Sequence, residues 1–218
     1  MKITKFAQSA ILIKTKNKRI LIDPGYIDYK EEYLTKQWSN IDVVLITHRH
    51  SDHCHMDYLK EIQKTAKVYT NSDVLELYTE LKAEIVKEGD VIELDDIQIE
   101  VVKAVHGYMP FLQGDKKIKE NTGFIIDDQK KRLYHVSDSV CFENTYSCDI
   151  LCVPVCNHGL VMGPFEAAHF AKATKAKLVI PIHYDNDSYP VDINKIQEEF
   201  EKMELNYKVL DIEESIVV

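Results

Sequence analysis

No apolar run in this sequence approaches the roughly 20 residues that a bilayer-spanning helix needs. The start, Met1-Lys2-Ile3-Thr4-Lys5-Phe6, lacks the apolar core and small-residue cleavage site of a secretory leader and reads instead as a first strand. These two absences lead to an expected cytoplasmic location and no membrane partner. Basic charge is also in short supply. The 27 Lys and Arg residues face 36 Asp and Glu, and the formal charge of −9 works against non-specific attraction to nucleic acid. Lys116, Lys117 and Lys119 form a local basic cluster, read here as a solvated loop. The five cysteines, an odd number, do not make a disulfide framework. Cys148, Cys152 and Cys156 are spaced four apart, but the β-branched, Pro154-containing segment between them reads as a strand. A strand spreads its thiols at about 3.3 Å per residue, too far apart to clasp one ion, so packed, reduced thiols are expected. Linkers, repeats and low-complexity segments are missing as well, so residues 1–218 are expected to form one domain.

What is present is a succession of short strands and helices. Strands are expected at Ile3–Phe6, Ala10–Thr15 and Arg19–Ile22, followed by Asp23-Pro24-Gly25 and a polar, Tyr-rich stretch to Asn40. Asp42–Ile46 is a continuous apolar run, the pattern of a strand buried on both faces. Helices are expected at Met56–Lys64, at Ser72–Leu81 with Ser72 as N-cap, at Pro164–Ala173 and at Asn194–Met203. Further strands fall at Val68–Thr70, Val91–Leu94, Ile97–Lys103, Gly123–Asp127, Arg132–Val136, Ile150–Val155, Lys177–Ile182 and Tyr207–Leu210. This order predicts an α/β (α+β) chain in which two mixed sheets pack together with helices outside, an αββα sandwich.

The chemistry is concentrated directly after the buried run. Thr47-His48-Arg49-His50-Ser51-Asp52-His53 places four potential ligands within six residues, and imidazole with carboxylate suits zinc, or manganese or iron. His106, Asp138 and His183 each lie at or just past the C-terminal end of an apolar strand, where open α/β sheets gather their sites.

On these pieces the whole chain resembles the metallo-β-lactamase superfamily, most closely its small single-domain branch similar to ascorbate-6-phosphate lactonases. Ile22–Gly25, Thr47–His53, Val105-His106, Val136–Ser139, Met162–Ala168 and Ile180–Tyr184 carry the resemblance. It implies one divalent metal ion held by His48, His50 and His106, a second held by Asp52, His53 and His183, and Asp138 bridging them. Zinc is the foremost expectation, with manganese or iron as alternatives. The chain departs from the branch at Gln8-Ser9, where a His often precedes the Ser, and at Ser137-Asp138-Ser139, where the residue after the Asp is usually Thr.

Two ions about 3.5–4 Å apart can share a water and lower its pKa, so that a bridging hydroxide attacks a carbonyl or phosphoryl group. No Ser or Cys nucleophile is then required. Asp52 is expected to orient the nucleophile as well as ligate. His158, in the loop Asn157-His158-Gly159, is the proposed leaving-group proton donor, with a plain polar loop His as the alternative. His135, His169 and His55 are read as structural. Gly107–Leu112 concentrates apolar groups in a loop that either walls the substrate pocket or buries against a second copy in a homo-oligomer. The expected function is hydrolysis of a small-molecule ester, a lactone or phosphodiester. The alternatives are a nucleic-acid-processing phosphodiesterase, a non-catalytic metal-binding protein and an iron oxidoreductase, the last without a flavin segment to serve it.

Overall fold

The computed structural model describes residues 1–27, 30–34 and 36–218, so residues 28, 29 and 35 of the Tyr-rich stretch lie outside the described residues. One sheet holds β1 (Lys2–Lys5), β2 (Ile11–Lys14), β3 (Arg19–Ile22), β4 (Val43–Leu45), β5 (Lys67–Thr70) and β6 (Glu84–Ile85). The other holds β7 (Val91–Leu94), β8 (Ile97–Lys103), β9 (Thr122–Asp127), β10 (Arg132–His135), β11 (Ile150–Pro154) and β12 (Leu178–Ile182). A last strand, β13 (Ser215–Val217), joins the first sheet beside β1, giving the orders β13-β1-β2-β3-β4-β5-β6 and β12-β11-β10-β9-β8-β7. β3 to β6 run parallel, as do β10, β11 and β12, and the remaining pairs are antiparallel. The α-helices among the described residues are α1 (Met56–Ile62), α2 (Ser72–Leu77), α3 (Pro164–Thr174) and α4 (Ile193–Lys202).

The period-2 alternation of the strands sorts the apolar side chains into three layers. Ile20, Ile22, Val43 and Leu45 of the first sheet meet Ile99, Phe124, Leu133 and Ile180 of the second in the space between the sheets. Leu21, Val44 and Ile46 face the other way, onto Trp38 and the α1 residues Tyr58, Leu59 and Ile62. On the far side Ile125, Tyr134, Leu151 and Val153 pack under Ala168 and Phe170 of α3 and Ile196 and Phe200 of α4. Helix, sheet, sheet and helix therefore stack in the expected αββα order. No helix among the described residues is long and apolar enough to cross a membrane.

Local pattern and structure part company at a few places. The helix expected over Ser72–Leu81 stops at Leu77, and the Tyr78 hydroxyl donates to the Arg49 carbonyl at 3.1 Å. Its N-cap is Asn71, whose side chain accepts from Val74 N–H, while Ser72 binds Glu120 instead. Tyr207–Leu210 is not a strand, since only Tyr207 bridges to Val179. The chain ends instead in β13, paired antiparallel with β1.

Candidate metal centre

The parallel strands end on one rim, and the residues just past their ends build the site. β3 leads into Asp23, β4 into Thr47 and His48, β10 into Asp138, and β12 into His183. Asp23, Ser137 and His183 all adopt positive φ (50°, 65° and 63°), as does Gln8 (56°), whose carbonyl accepts from His183 N–H. Left-handed backbone at non-glycine residues is strained and gathers where surrounding structure holds a site in place. Gly25 is needed for close approach, because a Cβ there would overlap the Asp52 carbonyl. That contact lets the Asp23-Pro24-Gly25 turn lie directly against the His48–His53 loop, with Tyr26 N–H on the Ser51 carbonyl and His55 N–H on the Pro24 carbonyl.

The seven residues expected to ligate converge here. Ligand atoms of His48, His50 and His106 lie within 4.8 Å of one another, as do those of Asp52, His53 and His183, and those of His48, His53 and Asp138. Asp138 Oδ2 stands 3.2 Å from His53 Nε2 and 3.0 Å from His183 Nε2, and Asp52 Oδ2 stands 3.6 Å from both. Asp138 thus adjoins both sets.

The outer hydrogen bonds determine which nitrogen each ring turns inward. His50 Nε2 faces the Lys116 carbonyl at 3.2 Å, His106 Nδ1 the Gly107 carbonyl at 2.8 Å, and His53 Nδ1 the Asp23 carboxylate at 2.8 Å. Carbonyl and carboxylate oxygens only accept, so these nitrogens donate. His48 Nδ1 faces Thr47 Oγ1 at 3.0 Å, and because that hydroxyl gives its own proton to Asp23, it accepts from His48. Each neutral ring is left with an unprotonated inner nitrogen. Two of them, His48 Nε2 and His50 Nδ1, face each other at 3.2 Å. Opposed lone pairs repel, and a shared cation resolves the arrangement. His53 Nε2 and His183 Nε2 are buried and likewise complete no hydrogen bond. This donor set of imidazole and carboxylate fits a zinc-like divalent ion.

Electrostatics agree with that division. Burial is the largest influence on His48, His50 and His106 and holds all three below the ordinary imidazole pKa, His106 at about 4. Burial also opposes charge on His53 and His183, but the nearby carboxylates, Asp138 foremost, outweigh it and hold both well above the ordinary value. A proton on either ring there occupies the place of a cation. Burial pushes Asp138 and Asp52 upward, yet His183 and His53 outweigh it, holding Asp138 well below the carboxylate range and Asp52 at about 2.

His158 lies at the edge of the centre. Its ring is perpendicular to His183 with centroids 5.8 Å apart, and perpendicular to Tyr189 at 5.2 Å. The remaining histidines serve the fold. His135 is fully buried between the Ser9 carbonyl and Ser137 N–H, His55 caps α1, and His169 packs on Phe165. Tyr108 and Phe111 of the apolar loop are exposed, while Gly107 is seated against Leu160.

Several participants have no role assigned by the sequence pattern, although Ile22–Gly25 and Gln8-Ser9 stand out in it. Asp23 backs His53, and Ser9 donates to Asp138 Oδ1 at 3.2 Å. Gln8 binds Asp185 through both its backbone N–H and its side chain. Cys156, expected only as a packed thiol, groups with His158 and His183 within 4.8 Å. Burial alone would raise its pKa, but the His158 and His183 rings draw it down to about 6. The signal available for Asp23 and Cys156 is the one that points to His106 and His183, a polar or ligating residue just past a buried strand.

A model of the β-lactamase superfamily domain matches residues 2–183. A UPF0173 metal-dependent hydrolase of Geobacillus thermodenitrificans is 30% identical over 204 residues, covering 85% of this chain and 86% of that protein. Among solved structures, the metallo hydrolase Igni18 from Ignicoccus hospitalis superposes with a TM-score of 0.80 at 24% identity, covering 99% of this chain and 97% of the other. The metallo-β-lactamase fold protein YhfI from Bacillus subtilis superposes at 0.75 with 16% identity, covering 99% and 98%. These two likenesses establish the fold, the match over residues 2–183 establishes that the chain belongs to the β-lactamase superfamily domain family, and the 30% identical relative places it among the metal-dependent hydrolases of that family.

Proposed function

We propose that the chain hydrolyses a small ester, foremost a lactone or other carboxylic ester, with two divalent cations, zinc ahead of manganese or iron. The observation that carries this reading is the pair of three-residue ligand sets that share Asp138 as a neighbour. Bound cations would supply the Lewis acidity that lowers the pKa of a shared water and polarises the scissile oxygen. The chain's own groups do the rest. Asp52, its side chain 20% exposed, stays ionised near neutral pH and orients the attacking water. His158 Nδ1 accepts from Leu160 N–H at 3.1 Å, so the neutral ring keeps its proton at Nε2, available to a departing alkoxide.

The lining of the neighbouring cleft supports an uncharged substrate. A cleft of about 620 Å³ opens beside Asp52, walled by Tyr26, Tyr189, Ser188, Asn186, Asp185 and Asp187, with no Lys or Arg among its described lining residues. Phenol, amide and hydroxyl groups suit a hydroxylated ester and offer nothing to neutralise a phosphate. A phosphodiester is the second reading, because the His50 bond to the Lys116 carbonyl holds the backbone of the exposed Lys116 and Lys117 beside the centre.

Elemental analysis of protein purified without added metal, beside Asp138→Ala, tests the centre. About two ions per chain are expected, falling in the variant. Fewer than about one ion after reconstitution contradicts the reading. Turnover of lactones and carboxylic esters over phosphodiesters by the loaded enzyme supports the first substrate class, and the reverse order favours the second.

A further inference from the structure

Four of the five histidines at the centre rest an outer nitrogen on an oxygen: His48 on Thr47, His50 on Lys116, His53 on Asp23 and His106 on Gly107. His183 is the exception. It is 1% exposed, and its Nδ1 completes no hydrogen bond. To present Nε2 to a cation, the ring must carry its proton at Nδ1, and metal-ligating histidines nearly always donate that second N–H.

A cysteine sulfur lies near this ring. β11 and β12 are parallel neighbours with Pro154 opposite Ile182, and Val155 N–H binds the Ile182 carbonyl at 2.8 Å. Cys156 and His183 therefore leave adjacent strands together. Cys156 is a free thiol, 1% exposed, grouped within 4.8 Å with His183 and His158. Sulfur accepts weakly as a thiol and better as a thiolate, and this one adjoins the ring whose outer nitrogen lacks a partner.

We propose that Cys156 is a positioning residue for the metal centre: its sulfur accepts the His183 Nδ1–H and holds the ring so that Nε2 meets the cation shared with Asp52 and His53. The two histidines of that ligand set are then backed differently, His53 by a carboxylate and His183 by sulfur. The inference rests on the two-cation reading above.

The test titrates wild type, Cys156→Ala, Cys156→Val and Cys156→Ser with zinc and with cobalt(II), against a chromophoric chelator. Loss of a partner behind a ligating histidine lowers metal affinity by about 10–100-fold. That loss is expected for one ion in the Ala and Val variants, with a changed cobalt visible spectrum, while the ion at His48, His50 and His106 keeps its affinity. Serine, whose hydroxyl still accepts, is expected to recover most of the loss. Circular dichroism identifies any variant that fails to fold, and the comparison then stands on those that remain folded. Wild-type affinity and an unchanged cobalt spectrum in a folded Ala or Val variant overturn the proposal. If wild type itself takes up only one ion, the two-cation reading fails separately. The same variants then decide on the remaining ion, with a drop supporting the role of Cys156 and equal affinity overturning it.

Discussion

Asp23 Oδ2 stands 2.8 Å from His53 Nδ1 and takes the Thr47 hydroxyl at 2.7 Å, while its other oxygen takes Thr47 N–H at 2.8 Å. One buried carboxylate thereby sets the tautomer of His53 and, through Thr47, that of His48. His48 also groups with His50 and His106, and His53 with Asp52 and His183, so Asp23 orients a ring in each of these groups and is a member of neither.

Asp23→Asn keeps the shape and one acceptor but turns an amide N–H₂ toward donors that need an oxygen. Zinc affinity is expected to fall by about 10–100-fold, measured by chelator competition. Wild-type affinity in a correctly folded variant would show that Asp23 serves only the turn.

Gly25→Ala tests the approach of the two loops. The added Cβ meets the Asp52 backbone carbonyl, which cannot rotate away as a side chain can. Overpacking of this kind typically costs about 1–3 kcal/mol. Gly163→Ala is the matched control, because its Cβ would press, at 2.9 Å, only on the end of the flexible Glu166 side chain. Denaturant melts are expected to show a larger loss at Gly25 than at Gly163, where the cost is that of alanine replacing the glycine N-cap of α3, with metal content falling at Gly25 alone. Equal stability of the two variants would mean that the His48–His53 loop can shift without cost.

Much of this centre was legible because strand and ligand are adjacent in sequence. The apolar run Asp42–Ile46 could only be a buried strand, and the His-x-His-x-Asp-His segment directly after it had to emerge at a strand end. His106, Asp138 and His183 came from the same logic. Asp23 lies in a segment that carries the resemblance, but its role was hidden by an ordinary local explanation, since Asp-Pro-Gly is turn chemistry whether or not a ligand lies behind it. Cys156 was hidden because a cysteine at a strand end reads as core, and only the register of β11 against β12 brings it to His183. β13 could not be read locally either. Its partner β1 lies at the other end of the chain, and Ser215–Val217 has too few residues to show a period. The shortened α2 has a tertiary cause, for Tyr78 leaves the helix where its hydroxyl reaches the Arg49 carbonyl between His48 and His50.

His158 separates chemistry from metal binding. Its ring packs edge-on against His183 and against Tyr189, the latter a wall of the cleft beside Asp52, and the proposed role requires a leaving group to reach it from that cleft. The Leu160 N–H on Nδ1 keeps the transferable proton on Nε2. A positioned general acid contributes about 10²–10⁴-fold to a rate. His158→Ala is therefore expected to lower kcat by that order on esters with poor leaving groups, with metal content unchanged by elemental analysis. Esters with good leaving groups, which need no proton to depart, should lose far less. The contrast matters because a variant that merely loosened the loop would slow both kinds of ester alike. Equal losses on the two series, or no loss on either, would remove His158 from the reaction and leave it as a packing partner of His183 and Tyr189.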